Sequence, residues 1–273
     1  MVVSNPAKLH ISNSCMIVNQ DNDEKVIPIE QINSLIIESQ RVNLTSALMC
    51  KLVESGISVI FCDKRHNPLF ETIPFHNNAY FSKNIDIQTR WSANNKENTW
   101  NDILREKITN QATTLKKLGF NEYEKLINIA DSMTDYNYEA AEAQAARIYF
   151  QTLFGYDFCR RTENNINCML NYGYSVILST VNKSIIQHGY LTAIGIGHHS
   201  CTNPFNLTCD IMEPFRPYID LYVYKHQKCD FDRTIRREIV ALTIQNIIYR
   251  DTSTSLETAI DRYVMEIIEK LNR

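Results

Sequence analysis

Two hydrophobic periods divide the chain. Up to about residue 74 the apolar residues come in short β-branched or alternating runs, and from about residue 77 they recur every ~3.6 residues. The runs KLHISNSCMIV, KVIPIE, SLIIES, SVIFCD and LFETI are bounded by Asn, Asp, Ser and Pro, as strands are. Between the third and fourth lies NLTSALMCKLVESG, where Leu44, Leu48, Leu52 and Val53 fall at helical spacing. Asn43 or Thr45 can cap that helix, and Gly56 ends it. This pattern predicts a small β-rich domain, residues 1–74, holding one helix.

Proline follows the same division. Pro6, Pro28, Pro68 and Pro74 occur early, and the next is Pro204. Proline is excluded from helix interiors, so the long gap favours helices. Trp100, Ile103, Leu104, Ile108, Ala112 and Leu115 make one stripe, closed by Gly119. A second helix runs from about Tyr138 to Phe154 and stops at Gly155, and INCMLNYGYSVILSTVNKSIIQ forms a third before Gly189. Thr254-x-x-Glu257 fits a capping box ahead of the stripe Leu256, Ile260, Tyr263, Val264, Ile267 and Leu271. The expected fold class is α+β: the β-rich domain, a connection over 75–94, and a larger all-α domain over 95–273. No internal repeat or low-complexity segment interrupts it.

Composition narrows the class. In 273 residues, 44% are hydrophobic, and the net charge is only -3, which excludes disorder as the main state. No run of ~18 apolar residues offers a membrane span. MVVSNPAKLH lacks a basic region followed by an apolar core, so no secretory signal is expected. Cys15, Cys50, Cys62, Cys159, Cys168, Cys201, Cys209 and Cys229 contain no CxxC pair and read as reduced, mostly buried thiols of a cytoplasmic protein. A pI near 6.2 does not advertise a polyanion partner, so any nucleic-acid role must rest on local patches or on metal ions.

The densest chemistry lies in GIGHHSCTNPFNLTCDIMEPFRPYID, residues 195–220, with adjacent histidines, two thiols, Asp210, Glu213, Asp220 and an arginine. Gly195 and Gly197 allow a tight entry that puts His198 and His199 at a bend. Asp210 and Glu213 share a face on a continuous helix, but Pro214 either kinks that helix or opens a new one. An imidazole with carboxylate oxygens suits Mg²⁺ or Mn²⁺, whereas adjacent loop histidines also serve as plain hydrogen-bonding residues. A zinc site from His199, Cys201 and Cys209 matches no standard spacing. In YEAAEAQAARIYFQTLFG, Glu139 and Glu142 sit among alanines that admit a close helix; Glu139 reads as solvated, and periodicity alone does not select Glu142 either. Residues 221–250 carry Lys225, Lys228, Arg233, Arg236, Arg237 and Arg250 against Asp230, Asp232 and Glu238. Arg147, Arg160, Arg161 and Lys183 add to the same domain. Such clusters become a phosphate track only if the fold gathers them.

Four blocks, EAQAARIYFQTLFG, INCMLNYGYSVIL, GIGHHS and FNLTCDIMEPFRPYID, resemble in order and separation the CRISPR-associated integrases of spacer acquisition, the "Cas one" family. SLIIES and SVIFCDKRHNP resemble that family's β domain, so the likeness covers nearly the whole chain, and the length is most similar to the compact type II forms. The resemblance implies a sandwich-like N-terminal domain for dimerisation and companion docking, and a helical catalytic domain. It implies a site for Mg²⁺ or Mn²⁺ made by Glu142 of the E-x-x-A-A helix, His199 at the end of the G-x-x-H turn, and Glu213 before P-F-R-P. Asp210 is the reserve ligand, and a one-residue difference in loop length exchanges His199 for His198. It further implies homodimers that clamp a dimeric companion, the "Cas two" subunit, on double-stranded protospacer and repeat DNA. In type II systems the effector nuclease and a ring-shaped accessory protein join them.

The reaction so implied is attack by a 3′ hydroxyl of incoming DNA on a phosphodiester at the repeat boundary, with endonuclease activity when water attacks instead. Charge neutralisation at the phosphate is the physical need, and no protein nucleophile is required. Arg147, Tyr172 and Tyr174 flank the motifs and, with Arg160, Arg161, Lys183, Arg236 and Arg237, are the DNA-binding candidates. For the tyrosines, packing of the LNYGY helix competes with that role. Two other classes remain: a non-catalytic helical DNA-binding or assembly protein, and a stand-alone metal-dependent nuclease. Convergence of Glu142, His199 and Glu213 separates the first from an enzyme, and strand-joined products separate the second from an integrase.

Overall fold

The structure, a computed structural model, describes residues 1–21, 23–64, 66, 68–72, 74, 78–134 and 137–273. Arg65 and Asn67 of the SVIFCDKRHNP block, Ile73 of the expected strand LFETI and residues 75–77 of the expected connection lie outside the described residues. The chain divides into two compact units, Met1–Asn77 and Asn78–Arg273.

The first unit runs β1 (Val2–Val3), β2 (Ala7–Ser12), β3 (Cys15–Gln20), β4 (Asp23–Pro28), β5 (Ser34–Ile37), β6 (Val42–Leu44), α1 (Ser46–Glu54), β7 (Ser58–Cys62) and β8 (Pro68–Glu71). One sheet has the order β1-β5-β7-β8 and the other β4-β3-β2-β6. A two-residue turn joins β2 to β3. Asn13 (φ 47°) and Ser14 (φ 58°) are both left-handed there, as the right-handed strand twist requires. Period-2 alternation buries Ala7 and Leu9 of β2 while Lys8 stays exposed. Leu9, Met16 and Val18 of one sheet share a core with Leu35, Ile37 and Val59 of the other and with Leu48 and Leu52 of α1. Thr45, the second of the two expected caps, takes the N–H of Leu48 at 3.3 Å.

The second unit runs α2 (Phe81–Thr89), α3 (Ala93–Lys117), α4 (Tyr123–Asp131), α5 (Tyr138–Phe154), α6 (Asn165–Gln187), α7 (Asn206–Met212), a 3-10 turn (Glu213–Phe215), α8 (Arg216–His226), α9 (Arg233–Ala241), β9 (Asn246–Tyr249), β10 (Thr252–Ser255) and α10 (Leu256–Leu271). The α3 stripe packs on Leu126 and Ala130 of α4 and on Ala141, Ala145, Tyr149 and Leu153 of α5. The two alanines let α5 come close to α3.

Four expectations need correction. The stretch 75–94 contains α2, which docks through side-chain amides. Buried Gln88 donates to Leu191 O and accepts from Leu191 N, each at 2.8 Å, and Asn84 donates to His188 O at 2.9 Å. Hydrophobic periodicity is blind to such a helix. The second unit is not all helical, because β9 and β10 form a hairpin around left-handed Arg250 and Asp251. The cap of α10 is Ser255, which takes the N–H of Thr258 at 3.2 Å. Thr254 is paired in the hairpin with Ile247, and Glu257 binds Lys183 instead. Finally, the eight thiols are free but mostly not buried: Cys62 alone is buried, and Cys50, Cys159, Cys168, Cys201 and Cys229 are exposed. No helix among the described residues is long and apolar enough to cross a membrane.

Gly173 explains the glycine inside the LNYGY helix. A Cβ there would lie 2.3 Å from Cγ2 of fully buried Ile219, so α6 and α8 touch only because it is missing. Gly173→Ala therefore loses about 1–3 kcal/mol to overpacking, although alanine favours a helix by ~1 kcal/mol. Urea unfolding measures the sum, and a stabilised variant would contradict this packing.

Candidate active site

The site is built on one face of α3. Trp100 and Lys107 are seven residues apart, two helical turns, so they share that face. Lys107 Nζ lies 2.5 Å from Glu142 Oε1 of α5 and 2.8 Å from Glu213 Oε2 of the 3-10 turn between α7 and α8. Arg216 Nη2 lies 3.0 Å from the other oxygen of Glu213. Asn110, also on α3, donates to Pro214 O at 2.8 Å and fixes the turn that carries Glu213. Pro214 thus stands in the first turn of a new helix rather than kinking one long helix, and that first turn is 3-10 before α8 continues.

The electrostatics follow from burial. The Glu213 side chain is 4% exposed, that of Lys107 10% and that of Glu142 33%. Burial raises the Glu213 carboxyl, but Arg216 and Lys107 outweigh it and hold the group below its ordinary range. Burial opposes the charge on Lys107, and the two glutamates overcome it and raise its pKa.

Asp210 faces elsewhere. Fully buried, it accepts the N–H groups of Ile196 (2.7 Å), Gly197 (3.2 Å) and His198 (2.8 Å) and lies 2.6 Å from His198 Nδ1. A carboxylate can only accept, so Nδ1 carries a proton, and in the neutral imidazole Nε2 then keeps its lone pair. That hydrogen bond raises the His198 pKa; burial opposes it, and Asp210 and Glu213 add to the rise. Trp100 meets the His198 ring edge-on at 5.6 Å. The two glycines of the turn are close-approach positions. A Cβ on Gly197 would lie 2.4 Å from the Trp100 ring, and one on Gly195 would lie 2.3 Å from His198 O.

The structure thus brings Glu142, Glu213 and His198 to one region and turns His199 outward, exposed. Cys201 is exposed, and Cys209 takes a long bond from Asn203, so the zinc alternative does not assemble. Among the described residues no group of three His, Cys, Asp or Glu side chains is placed so that it could hold a metal ion. The donor types are those a hard divalent cation takes, two carboxylates and an imidazole whose Nδ1 is fixed by a carboxylate, but the two carboxylates are held here by the Lys107 ammonium. Lys107, Arg216 and Trp100 were missed in the sequence. The available signal was a lysine in line with the apolar stripe, four residues before Gln111, which is buried too.

The DNA-binding candidates scatter. Tyr172 is 1% exposed with its ring edge-on to Phe231, so it packs and does not reach the surface. Lys183 binds Glu257 at 3.0 Å, and Arg236 is 8% exposed over Phe231. Arg147, Arg161 and Arg237 are exposed. Arg160 donates to Asn167 and Asn171 and stands over the Tyr174 ring, as does Arg216. The Tyr174 hydroxyl donates to fully buried Asp220 at 2.5 Å. Burial pushes the Asp220 carboxyl up to about 6, against the pull of Tyr174, Tyr149, Arg216 and Arg160.

The family model for "CRISPR associated protein Cas1" matches residues 1–229. A CRISPR-associated endonuclease Cas1 from Neisseria meningitidis serogroup C (strain 8013) is 30% identical over 270 residues, covering 97% of this chain and 89% of that one. Two solved structures share the fold. A casposase bound to integration product has a TM-score of 0.79 at 19% identity, covering 97% of this chain and 88% of that one. A chain of a Cas6-RT-Cas1–Cas2 complex has a TM-score of 0.72 at 18% identity, covering 99% of this chain and 34% of that one.

Asp220 sets a pH signature. Between pH 3.8 and about 6 the folded carboxyl keeps a proton that the unfolded one has lost, so unfolding releases it. Stability from this group is therefore greatest below pH 3.8 and falls as pH rises to about 6. The decline is on the order of 3 kcal/mol. Asp220→Asn removes it. Urea titrations across pH 4–7 are expected to show wild type losing stability relative to the variant, and parallel curves would refute the assignment.

Proposed function

We propose, from the premise that this chain belongs to the CRISPR-associated Cas1 family, that Glu142, His198 and Glu213 hold one divalent cation, Mg²⁺ or Mn²⁺, for DNA phosphoryl transfer. The chain is a CRISPR adaptation integrase and nuclease. The observation that carries the site is the meeting of Glu142 from α5 and Glu213 from the α7–α8 junction on a single positive charge, the Lys107 ammonium. His198 is preferred to His199 because its Nδ1 is committed to Asp210, which leaves Nε2 of the neutral imidazole to ligate. His199 is exposed.

The residues divide the work. Glu142 and Glu213 supply hard oxygen ligands, and Arg216 pins the second Glu213 oxygen so that its carboxylate keeps one orientation. Asp210 fixes the tautomer and direction of His198, and Trp100 walls the imidazole on one side. When bound, the cation supplies Lewis acidity to the scissile phosphate and lowers the pKa of the attacking hydroxyl. The 3′ hydroxyl of the incoming strand forms the new phosphodiester, and the 3′ oxygen of the target strand leaves. With water as nucleophile the same displacement is hydrolysis.

Double-stranded DNA and a dimeric Cas2-type companion are the partners, and the chain acts as a homodimer in the cytoplasm. A Cas1–Cas2 complex among the structural neighbours supports this assembly. Exposed Arg147, Arg161 and Arg237 are the phosphate contacts that remain open to DNA. The type II effector nuclease and ring-shaped accessory protein complete the assembly in cells.

The test is strand joining of a 3′-hydroxyl duplex into a supercoiled repeat target, with the companion present. Glu142→Gln, Glu213→Gln and His198→Ala are expected to lose joining by ~100-fold or more, as is chelation with EDTA, whereas His199→Ala stays within a few-fold. Cleavage without joined product would make the protein a nuclease only. Joining that survives all three substitutions would remove the site, and a reversed histidine result would restore His199.

A further inference from the structure

Lys107 stands where the proposed cation would bind. Its Nζ is 2.5 Å from Glu142 Oε1 and 2.8 Å from Glu213 Oε2, and only 10% of its side chain is exposed. Hard divalent ions lie ~2.0–2.6 Å from carboxylate oxygens. An ion shared by these two oxygens would overlap the ammonium, and two cations cannot occupy one cradle. Nor can the cradle stand empty at low energy. Without Lys107, Glu213 keeps Arg216 on its other oxygen, but its buried Oε2 would face the Glu142 carboxylate with no cation between them.

We propose that Lys107 is a resident counter-ion that competes with the divalent cation for Glu142 and Glu213. In the metal-free protein its ammonium keeps the two carboxylates together and the α3–α5–α8 packing intact. For metal to enter, the ammonium leaves both oxygens by rotating its side chain, while α3 stays in place. Metal affinity is then set by a difference: the strength of the ligands minus the hold of the lysine. The lysine is thus a positioning residue that makes loading of the site weak and reversible. This rests on the metal-site reading above.

The test reads binding rather than turnover. Mn²⁺ is titrated into the full chain, and the free ion is followed by electron paramagnetic resonance. Lys107→Met is expected to bind Mn²⁺ about tenfold more tightly or better, since a competing charge is gone. In urea unfolding the same variant is expected to be weaker than wild type without metal and to gain more from Mn²⁺. Lys107→Gln, which keeps an N–H donor but no charge, should shift affinity the same way and serves if the methionine variant does not fold. Equal or weaker Mn²⁺ binding by the folded variants overturns the competition and leaves the metal site standing. No Mn²⁺ binding by wild type and variants alike removes the metal site and the competition together.

Discussion

A buried carboxylate that must stay charged organises the helical unit. Glu213 sits where water hardly reaches, and desolvation alone would neutralise it. Two cations prevent that, Arg216 three residues on and Lys107 from a helix a hundred residues earlier in the chain. Breaking such a buried pair typically costs ~3–5 kcal/mol, because the remaining charge is left uncompensated. The pairing therefore constrains more than itself. It demands that α3 and the α7–α8 junction keep one register, and it draws in Glu142, which needs α5 close against α3 at Ala141 and Ala145.

Asp210 and Glu213 show how one short segment can carry two unlike acids. Three residues apart, they point to different partners. Asp210 spends its oxygens on three successive backbone N–H groups and one imidazole, which turns 196–198 into a rigid presenting loop. Glu213 meets only cationic side chains. The first acid orders a loop and an imidazole, and the second is held by two charges. Proline at 214 helps separate them by tightening the turn between their helices.

The blocks that carry the family likeness have packing reasons of their own. The alanines around Glu142 admit α3, and Gly173 admits Ile219. Gly195 and Gly197 admit a carbonyl and an indole where no side chain fits. What looks like a set of catalytic motifs is thus largely a set of close approaches. Close approaches tolerate few residue types.

Local pattern determined a good deal by itself. The strand-rich start, the α3 stripe, the α5 and α6 helices and the Thr45 cap were legible, because each depends on residues within a turn or two of one another, whereas Glu142 and Glu213 were singled out only by the family likeness. Where binding runs through amides or single hydrogen bonds, the pattern was silent: α2 docks through Gln88, and the β9–β10 hairpin displaced the expected α10 cap by one residue. Tertiary structure alone decided the site's inner arrangement. Two adjacent histidines are equivalent in sequence, and only the reach of Asp210 turned one inward and left the other in solvent. A lysine in a helix reads as a solvated charge until two distant carboxylates close on it. Burial and charge pairing act through space, and spacing along the chain does not encode them.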